Sequence, residues 1–258
     1  MFTDHVHGVL DQSAVLVPIG PNCINSEEPA DLCLILNKRS KNVRQAGDLC
    51  FPGGGVSPNL DRLLANLLKF PLTPLTRWKF WTRCRKRSPA QAYKLSILFA
   101  ASLRESFEEM RVNPLHVRFL GTLNPYRLAM QNRFIFPMVG WLPKQKRFLH
   151  NWEVEKIVYI PVRRLLNPEN HAMFKLSIAG NQASSLNRFP LLHPGYLHES
   201  EGEIDLLWGA TYRIAMDFLS VIFDYNPPPP NRSATIDWVL DENYFNGTPR
   251  FKKVSIRK

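Results

Sequence analysis

One short stretch constrains the fold of this chain more than any other. Ala100 to Val112 reads AASLRESFEEMRV and contains the pattern R-E-x-x-E-E. On a helix that advances about 100° per residue, Glu105, Glu108 and Glu109 fall on one face. The opposite face is apolar, so we expect it to pack on the core. The residues of this core-facing row are Phe99, Leu103, Phe107 and Met110.

The acidic face has two interpretations. Carboxylates crowded on one face repel each other unless a cation lies among them. Hard divalent cations such as Mg²⁺ accept carboxylate oxygens and usually hold substrate phosphates in their remaining positions. Arg104 can reach Glu108 at i+4 or hold a loop against the helix. The plainer interpretation is a solvated acidic face without a metal, and the helix alone does not decide between the two.

A glycine-rich segment lies upstream of this helix. Phe51-Pro52-Gly53-Gly54-Gly55 follows the apolar strand candidate Leu32–Leu36. Glycine has no Cβ, so this backbone can approach a ligand closely. The turn before it is basic and is either a solvated loop or a rim that binds phosphate, because the guanidinium fork of Arg matches phosphate oxygens. Its cations are Lys38, Arg39, Lys41 and Arg44.

Together, the glycine segment and the acidic helix resemble the Nudix hydrolase signature, G-x5-E-x7-R-E-U-x-E-E-x-G-U, in which U is apolar. The resemblance narrows to the coenzyme A type, which has a second signature just before the first. That signature comprises an Arg-Ser pair, a basic residue, a glycine and F-P-G-G. Here these are Arg39-Ser40, Arg44, Gly47 and Phe51–Gly54. Segments 152–162 and 208–211 also look like this subfamily.

Three features depart from the family pattern. The spacing from Gly54 to Arg104 is about 36 residues longer than in the family. No glutamate occupies the first carboxylate position, where Asp61 is the nearest acid, one place out of register. Arg111 replaces a glycine that commonly ends such a helix, so we expect this helix to end another way, at Asn113-Pro114.

The resemblance implies an α/β fold, a Nudix-type α/β/α sandwich around a mixed β-sheet with a basic helical insertion. The implied domain spans residues 1–230, with 57–88 inserted, and a tail follows at 231–258. The implied activity is a metal-dependent pyrophosphohydrolase that cleaves the diphosphate of coenzyme A or a related nucleoside diphosphate derivative. With coenzyme A, the products would be adenosine 3′,5′-bisphosphate and 4′-phosphopantetheine. The alternatives are a catalytically weak nucleotide- or coenzyme-A-binding module and a hydrolase of another nucleoside diphosphate such as ADP-ribose.

The resemblance also assigns roles to individual residues. Mg²⁺ or Mn²⁺ is expected on Glu105 and Glu109, with Glu108 as a further ligand or as the base. Glu108 and Arg104 are the catalytic candidates. Glu153 is a weaker candidate for a base or extra ligand, and an exposed acid at a strand end is the plainer interpretation. The substrate-binding candidates are Arg39, Arg44, Gly53 and Gly54.

Segment 57–88 separates the two halves of the expected site. It carries eight Lys and Arg residues and a single acid, Asp61, with Leu, Phe and Trp residues among them. Leu60–Phe70 is predicted to be an amphipathic helix that Pro71 ends. The composition fits a packed surface elaboration, a lid over a phosphorylated ligand, a groove for single-stranded nucleic acid, or a peripheral contact of 62–87 with an anionic membrane. No specific nucleic acid partner is expected.

The remaining elements follow from caps and apolar runs. Ser88, Pro89 and Gln91 predict a capping box that opens a helix to about Met110. Residues 167–200 are predicted to be long and irregular, and the tail is predicted to fold back through Trp238, Val239 and Phe245. The predicted strands are Ala14–Ile19, Leu32–Leu36, Val117–Leu123, Arg133–Leu142, Lys156–Pro161 and Glu203–Trp208. The further predicted helices are Val162–Leu166 and Thr211–Tyr225.

Composition limits the compartment and the partners. The formal charge of +11 favours polyanionic ligands. No apolar run approaches ~20 residues, so no transmembrane helix is expected. Cys23, Cys33, Cys50 and Cys84 show no CxxC spacing. Cys33 and Cys50 lie in apolar strand-like runs and are interpreted as small core residues in a reducing compartment. The N-terminus lacks the pattern of a signal or transit peptide, and we expect a cytoplasmic protein.

Overall fold

A computed structural model describes residues 11–21, 31–128, 133–143, 147–178, 192–200, 202–227, 235–240 and 244. Its strands are β1 (Asp11–Pro21), β2 (Leu32–Arg39), β3 (Leu49–Cys50), β4 (Gly53–Gly55), β5 (Arg118–Thr122), β6 (Tyr126–Leu128), β7 (Arg133–Trp141), β8 (Val154–Pro161), β9 (His171–Ile178), β10 (Leu192–Ser200), β11 (Glu203–Trp208) and β12 (Thr235–Leu240). Its helices are α1 (Pro58–Leu67), α2 (Trp81–Arg87), α3 (Pro89–Met110), α4 (Val162–Leu165) and α5 (Gly209–Phe223).

Strand β1 lies in the middle of an eight-stranded sheet. It pairs in parallel with β7, and antiparallel with β4 near one end and with β2 near the other. Strand β2 also pairs with β3 and β8, and β7 pairs with β5 and β6. Most of β1 is buried, as expected for an apolar strand covered on both faces. The predicted mixed sheet is confirmed.

Helices cover both faces of this sheet. Leu16 packs with Phe99 of α3 in one core cluster. Its neighbour Val17 points to the opposite face, because successive side chains of a strand alternate, and packs with Phe218 of α5 in a second cluster. The predicted α/β class, with helix, sheet and helix in layers, is therefore confirmed.

Helix α3 has the predicted bounds but not the predicted details. The capping box is absent, since Ser88 makes no side-chain cap hydrogen bond within the described structure. Phe107 is 44% exposed, so the prediction that it faces the core is wrong. Ser106 is buried instead, and its hydroxyl donates to the Ser102 carbonyl at 2.6 Å. That hydrogen bond satisfies the hydroxyl and allows a serine to face the core.

The end of α3 also differs from the prediction. Arg111 itself takes the left-handed conformation, with φ of 54°. The N–H of Arg111 donates to the Phe107 carbonyl at 3.0 Å, which is the hydrogen bond of a helix end with a left-handed terminal residue. The Arg111 guanidinium lies 5.0 Å from the centre of the Phe107 ring. The helix therefore ends before Asn113-Pro114, through a residue that carries a Cβ.

Segment 57–88 is helical and packs against α3. Helices α1 and α2 bury Ala65 and Trp81, and the loop between them buries Leu68 and Leu75, all in the same core cluster as Phe99. The observed helix Pro58–Leu67 is slightly shorter than the predicted one. This segment is therefore integrated into the core through one of its faces.

A second sheet has the order β11-β10-β9-β12. It contradicts the prediction of an irregular region at 167–200, because β9 and β10 occupy most of the described residues of that region; 179–191 lie outside the described residues. The pair Pro194-Gly195 resembles a turn but lies inside β10. A Cβ on Gly195 would lie 2.9 Å from the Leu207 carbonyl oxygen, so this glycine serves close packing.

Part of the predicted tail belongs to the second sheet. Strand β12 pairs in parallel with β9, and Trp238 packs on Phe174 with ring centres 6.3 Å apart. Phe245 lies outside the described residues. Within the described chain, Cys33, Cys50 and Cys84 are free thiols, and no helix is long and apolar enough to span a bilayer. Cys23 lies outside the described residues.

We predict that Arg111→Gly is more stable to unfolding than Arg111→Ala by about 1 kcal/mol, because alanine retains the Cβ that disfavours φ of 54°. Both variants lose the contact with the Phe107 ring, so the difference between them reports the cost of the left-handed backbone at position 111. Urea titration followed by circular dichroism measures the difference. Equal midpoints would contradict the assigned helix end.

Candidate active site

The triple glycine of β4 is held between β1 and α3. On the β1 side, Gly53 and Gly54 pair with Val15 and Ala14. A Cβ on Gly53 would collide with the Ala14 carbonyl oxygen and the Val15 backbone. Any larger residue at this position would therefore push β4 away from the sheet.

Each glycine of β4 contacts a different charged residue of α3. The N–H of Gly53 donates to the Glu109 carboxylate. A Cβ on Gly54 would lie 2.5 Å from the Glu105 carboxylate. The Gly55 carbonyl accepts from Arg104 Nη2 at 3.0 Å. The structure therefore brings together two segments that lie about 50 residues apart in the chain.

Arg104 is fixed by carboxylates on both sides. Its Nε donates to Asp61 Oδ1 at 2.8 Å and its Nη1 to Glu105 Oε1 at 2.8 Å. Asp61 is fully buried and also accepts from the Ser57 N–H at 2.6 Å. The hydrogen bond that Arg104 donates to Asp61 raises the pKa of Arg104, so the guanidinium stays charged. In the sequence, Asp61 is one place away from the first carboxylate position of the family pattern. In the fold, its carboxylate lies beside Arg104.

Glu105 and Glu109 share a partly buried, strongly negative environment. Burial raises the pKa of Glu105, and the Arg104 charge opposes that shift. Burial, followed by the charge of Glu105, raises the pKa of Glu109 to about 8. In each case desolvation is the largest cause, and a nearby carboxylate adds to it. A cation bound between these two carboxylates would offset both effects.

Asn37 of β2 positions Glu109 and was not found from the sequence. Its Nδ2 donates to Glu109 Oε2 at 2.5 Å, and its Oδ1 accepts from Cys50 Sγ at 2.7 Å. Its side chain is buried. The available signal was a lone amide that ends the apolar run Leu32–Leu36. Such an amide must find partners inside the protein, and one of its partners here is an α3 carboxylate.

Glu153 also comes close to the α3 carboxylates. The Asn151 N–H donates to the Glu109 carbonyl at 3.0 Å, and the Ser40 N–H donates to the Glu153 carbonyl at 2.8 Å. The Ser40 hydroxyl donates to the Trp152 carbonyl at 2.8 Å. The charge of Glu153 contributes to the raised pKa of Glu109. Four separate stretches of the chain therefore meet around Glu109.

The other residues predicted for the site lie farther from the contact between β4 and α3. Glu108 is half exposed and approaches Arg104 only to 3.5 Å. Arg39 donates its Nε to the Arg44 carbonyl at 2.8 Å, which fixes the turn, while the Arg44 side chain is exposed. Lys38 points away from this rim and forms ion pairs with Glu155 and Asp205.

The donor set fits a divalent metal that arrives together with phosphate. Among the described residues, no three His, Cys, Asp or Glu side chains form a group that could hold a metal ion. Mg²⁺ usually needs only one or two protein carboxylates and completes its shell with water and substrate phosphates. Glu105 and Glu109 meet that requirement, since both are crowded, partly desolvated and in need of a countercharge.

Comparison by sequence finds one informative relative. No protein-family model matches the chain. A "Probable nudix hydrolase" of Schizosaccharomyces pombe is 24% identical over 216 residues, which cover 81% of this chain and 55% of that protein. The chain thus spans about half the length of the curated relative it matches. The sequence similarity is to the Nudix hydrolase superfamily.

Comparison by structure finds similar but distant folds. A NUDIX hydrolase from Nitrosomonas europaea is 11% identical, with a TM-score of 0.40 over 90% of this chain and 79% of that one. The NUDIX domain of Shewanella oneidensis NrtR, complexed with ADP ribose, is 16% identical, with a TM-score of 0.36 over 64% of this chain and 81% of that one. A C. elegans Ap4A hydrolase is 12% identical, with a TM-score of 0.36 over 61% and 84% of the two chains.

We predict that Asp61→Asn lowers the free energy of unfolding by about 3 kcal/mol, because it leaves the Arg104 charge without its fully buried partner. The matched control is Asp31→Asn, which breaks a more exposed pair with Arg163 and should cost less than about 1 kcal/mol. Chemical denaturation of the three proteins measures both costs. Similar losses for the two variants would contradict a special role for Asp61.

We also predict a pH dependence that comes from Glu109. The raised pKa means that the fold keeps this carboxyl protonated where the unfolded chain ionises it, so stability falls as pH rises towards 8. In a metal chelator, Glu109→Gln should remove this loss. Above pH 8 the variant should be more stable than the wild type by roughly 1–3 kcal/mol, and below the ordinary glutamate pKa the two should agree.

Denaturation across the pH range measures this difference, and Glu169→Gln, an exposed acid, is the control. Parallel stability curves for the wild type and Glu109→Gln would show that Glu109 is ionised normally in the fold.

Proposed function

We propose that this chain is a metal-dependent pyrophosphohydrolase of the Nudix type, which cleaves the diphosphate of coenzyme A or a related nucleoside diphosphate derivative. The observation that carries the proposal is the contact of β4 with α3. There, backbone without side chains lies directly against Glu105 and Glu109. This is a place where a cation and a diphosphate can meet with no Cβ between them.

Mg²⁺ or Mn²⁺ would be held by Glu105 and Glu109. When bound, the metal supplies countercharge to the phosphate oxygens and a more acidic water. Arg104 keeps Glu105 in place through its Nη1, while Asn37 and the Gly53 N–H keep Glu109 in place. Such fixed partners orient metal ligands and limit their rotation.

The attacking water needs a base. Glu108 is the first candidate, because it lies one helical turn from Arg104 and its side chain is half exposed to incoming solvent. Glu153 is the second, because the loop that carries it is hydrogen-bonded to the end of α3. In either case the carboxylate accepts a proton from water while the phosphoanhydride bond breaks.

The choice of coenzyme A rests on the second signature. Ser40 of the Arg-Ser pair is hydrogen-bonded to the backbone of Trp152 and Glu153, a segment that also looks like the coenzyme A subfamily. Arg39 and Arg44 form the turn on the same side of β2 as this contact, and the Arg44 guanidinium is available to the 3′-phosphate or diphosphate of a ligand. ADP-ribose and dinucleoside polyphosphates are the competing substrates.

A second candidate function is a nucleotide-binding module with weak catalysis. It is favoured by the lack of a group of three metal-binding side chains among the described residues. The ion pair of Asp61 with Arg104 argues against it, because it restores the acidic position that the sequence pattern lacks.

We expect the wild type to hydrolyse at least one of coenzyme A, ADP-ribose and diadenosine tetraphosphate with Mg²⁺ or Mn²⁺, coenzyme A fastest. Glu109→Gln should lower kcat by at least ~100-fold, as loss of a group acting directly on the chemistry does. Glu169→Gln, an exposed acid, should retain full turnover. Separation of the products by chromatography measures the rates.

Two results would contradict the proposal. Full activity in both Glu108→Gln and Glu109→Gln would reject the site. Thermal stabilisation of the wild type by these compounds, without hydrolysis of any of them, would favour the binding module.

A further inference from the structure

Helix α1 has a buried inner face and an exposed apolar outer face. Its inner face, with Asp61 and Ala65, packs against α3. Its outer face presents Leu60, Leu63 and Leu67, which are 44%, 59% and 52% exposed. These outer positions recur at intervals of three and four residues, so they form one line along the helix.

The exposed line continues past the end of α1. Phe70 is 63% exposed and Leu72 is 82% exposed. Leu72 also adopts a left-handed backbone with φ of 68°, which is strained for a residue with a Cβ. We name Leu60, Leu63, Leu67, Phe70 and Leu72 the apolar stripe. Soluble monomers rarely expose a contiguous apolar patch of this kind without a partner.

Only positive charge surrounds the apolar stripe within this segment. From Arg62 to Arg104 the sequence contains no acidic residue. Asp61, the single acid of 57–88, is buried against Arg104 and contributes nothing to the outer surface. The exposed cations of the segment are Arg62, Lys69, Arg77, Lys79, Arg83, Arg85, Lys86 and Arg87.

We propose that the apolar stripe binds the surface of an anionic lipid bilayer. Its leucines and phenylalanine would enter the region between headgroups and acyl chains, and the surrounding cations would pair with anionic headgroups. The charge is complementary over the whole segment, because no exposed carboxylate opposes the contact.

The identity of the exposed side chains disfavours single-stranded nucleic acid. Nucleic acid binding of that kind uses aromatic rings on which bases stack. Trp81 is 4% exposed, and Trp78 donates its Nε1 to the Leu120 carbonyl at 3.0 Å and packs on Phe119. Trp81 is therefore buried and the Trp78 ring is held against Phe119, and four of the five residues of the stripe are leucines.

A mostly apolar cleft with three cations in its lining follows the stripe along the chain. Its volume is about 450 Å³, and its lining includes Arg77, Lys79 and Arg118 beside the Trp78 ring. Three cations around one cleft suit the phosphate of an anionic headgroup. The surface thus offers both an apolar insertion site and a headgroup site in adjacent residues.

This inference is independent of the proposed hydrolase activity. The stripe lies on the outer face of α1, whereas Asp61 and the contact with Arg104 lie on the inner face. Substitutions on the outer face should therefore leave hydrolysis of a soluble substrate unchanged.

The test is co-sedimentation of the 258-residue chain with vesicles of phosphatidylcholine alone or mixed with phosphatidylserine. We expect pelleting with phosphatidylserine and little without it. Leu63→Gln, Leu67→Gln and Phe70→Gln together should lower the vesicle-bound fraction at least ten-fold. The matched control replaces three other exposed apolar residues, Leu115→Gln, Leu149→Gln and Val221→Gln, and should bind like the wild type.

A second arm tests the cations. Arg83→Gln, Arg85→Gln and Lys86→Gln together should remove the preference for phosphatidylserine. Equal pelleting by wild type and the leucine variant would overturn the proposal, as would no pelleting at all. Tight binding of a fluorescent oligothymidine that displaces the protein from vesicles would instead assign the surface to nucleic acid.

Discussion

The structure depends on one close contact, that of a strand without side chains against the charged face of a helix. Gly53 and Gly54 allow the β4 backbone to reach α3, and this approach removes water from Glu105 and Glu109. Desolvation of two neighbouring carboxylates costs free energy, and among the described residues the countercharge paired with Glu105 is Arg104. A site that destabilises itself in this way gains most from binding a cation. Burial and the proposed metal binding therefore involve the same two residues.

The long segment between the two halves of the site does not simply loop away from it. Extra length costs little in closure entropy, because that cost grows only with the logarithm of loop length. Here the added residues also contribute to the site and to the core. Asp61 holds Arg104, and Trp81 packs near α3. Burial of these residues thus offsets part of the conformational entropy that is lost when the added segment becomes ordered.

The sequence allowed the large elements to be predicted from strong local signals, whereas the meeting of the glycine segment with the acidic helix was expected from the family resemblance. The bounds of α3 follow from Pro89 and from apolar periodicity. What failed depended on tertiary contacts. Arg111 takes a conformation usually left to glycine, and Gly195 is required by close packing inside a strand rather than by a turn. Asn37 and Asp61 acquire their roles only when distant segments meet, and no local pattern encodes that meeting.

Helix α1 separates a buried acid on its inner face from a cationic surface on its outer face, and helix geometry explains this separation. A helix turns its side chains through all directions, so one short helix can serve two environments if its polar and apolar positions are sorted by face. In α1 the single acid points inward to Arg104, while Arg62 and three of the leucines are exposed. If the acid of α1 lay on the outer face instead, Arg104 would lose its buried partner Asp61. A carboxylate would then also lie within the cationic surface. One residue therefore protects the ion pair of the site and keeps the outer surface uniformly positive. The acidic site and the basic surface are two consequences of the same helix orientation.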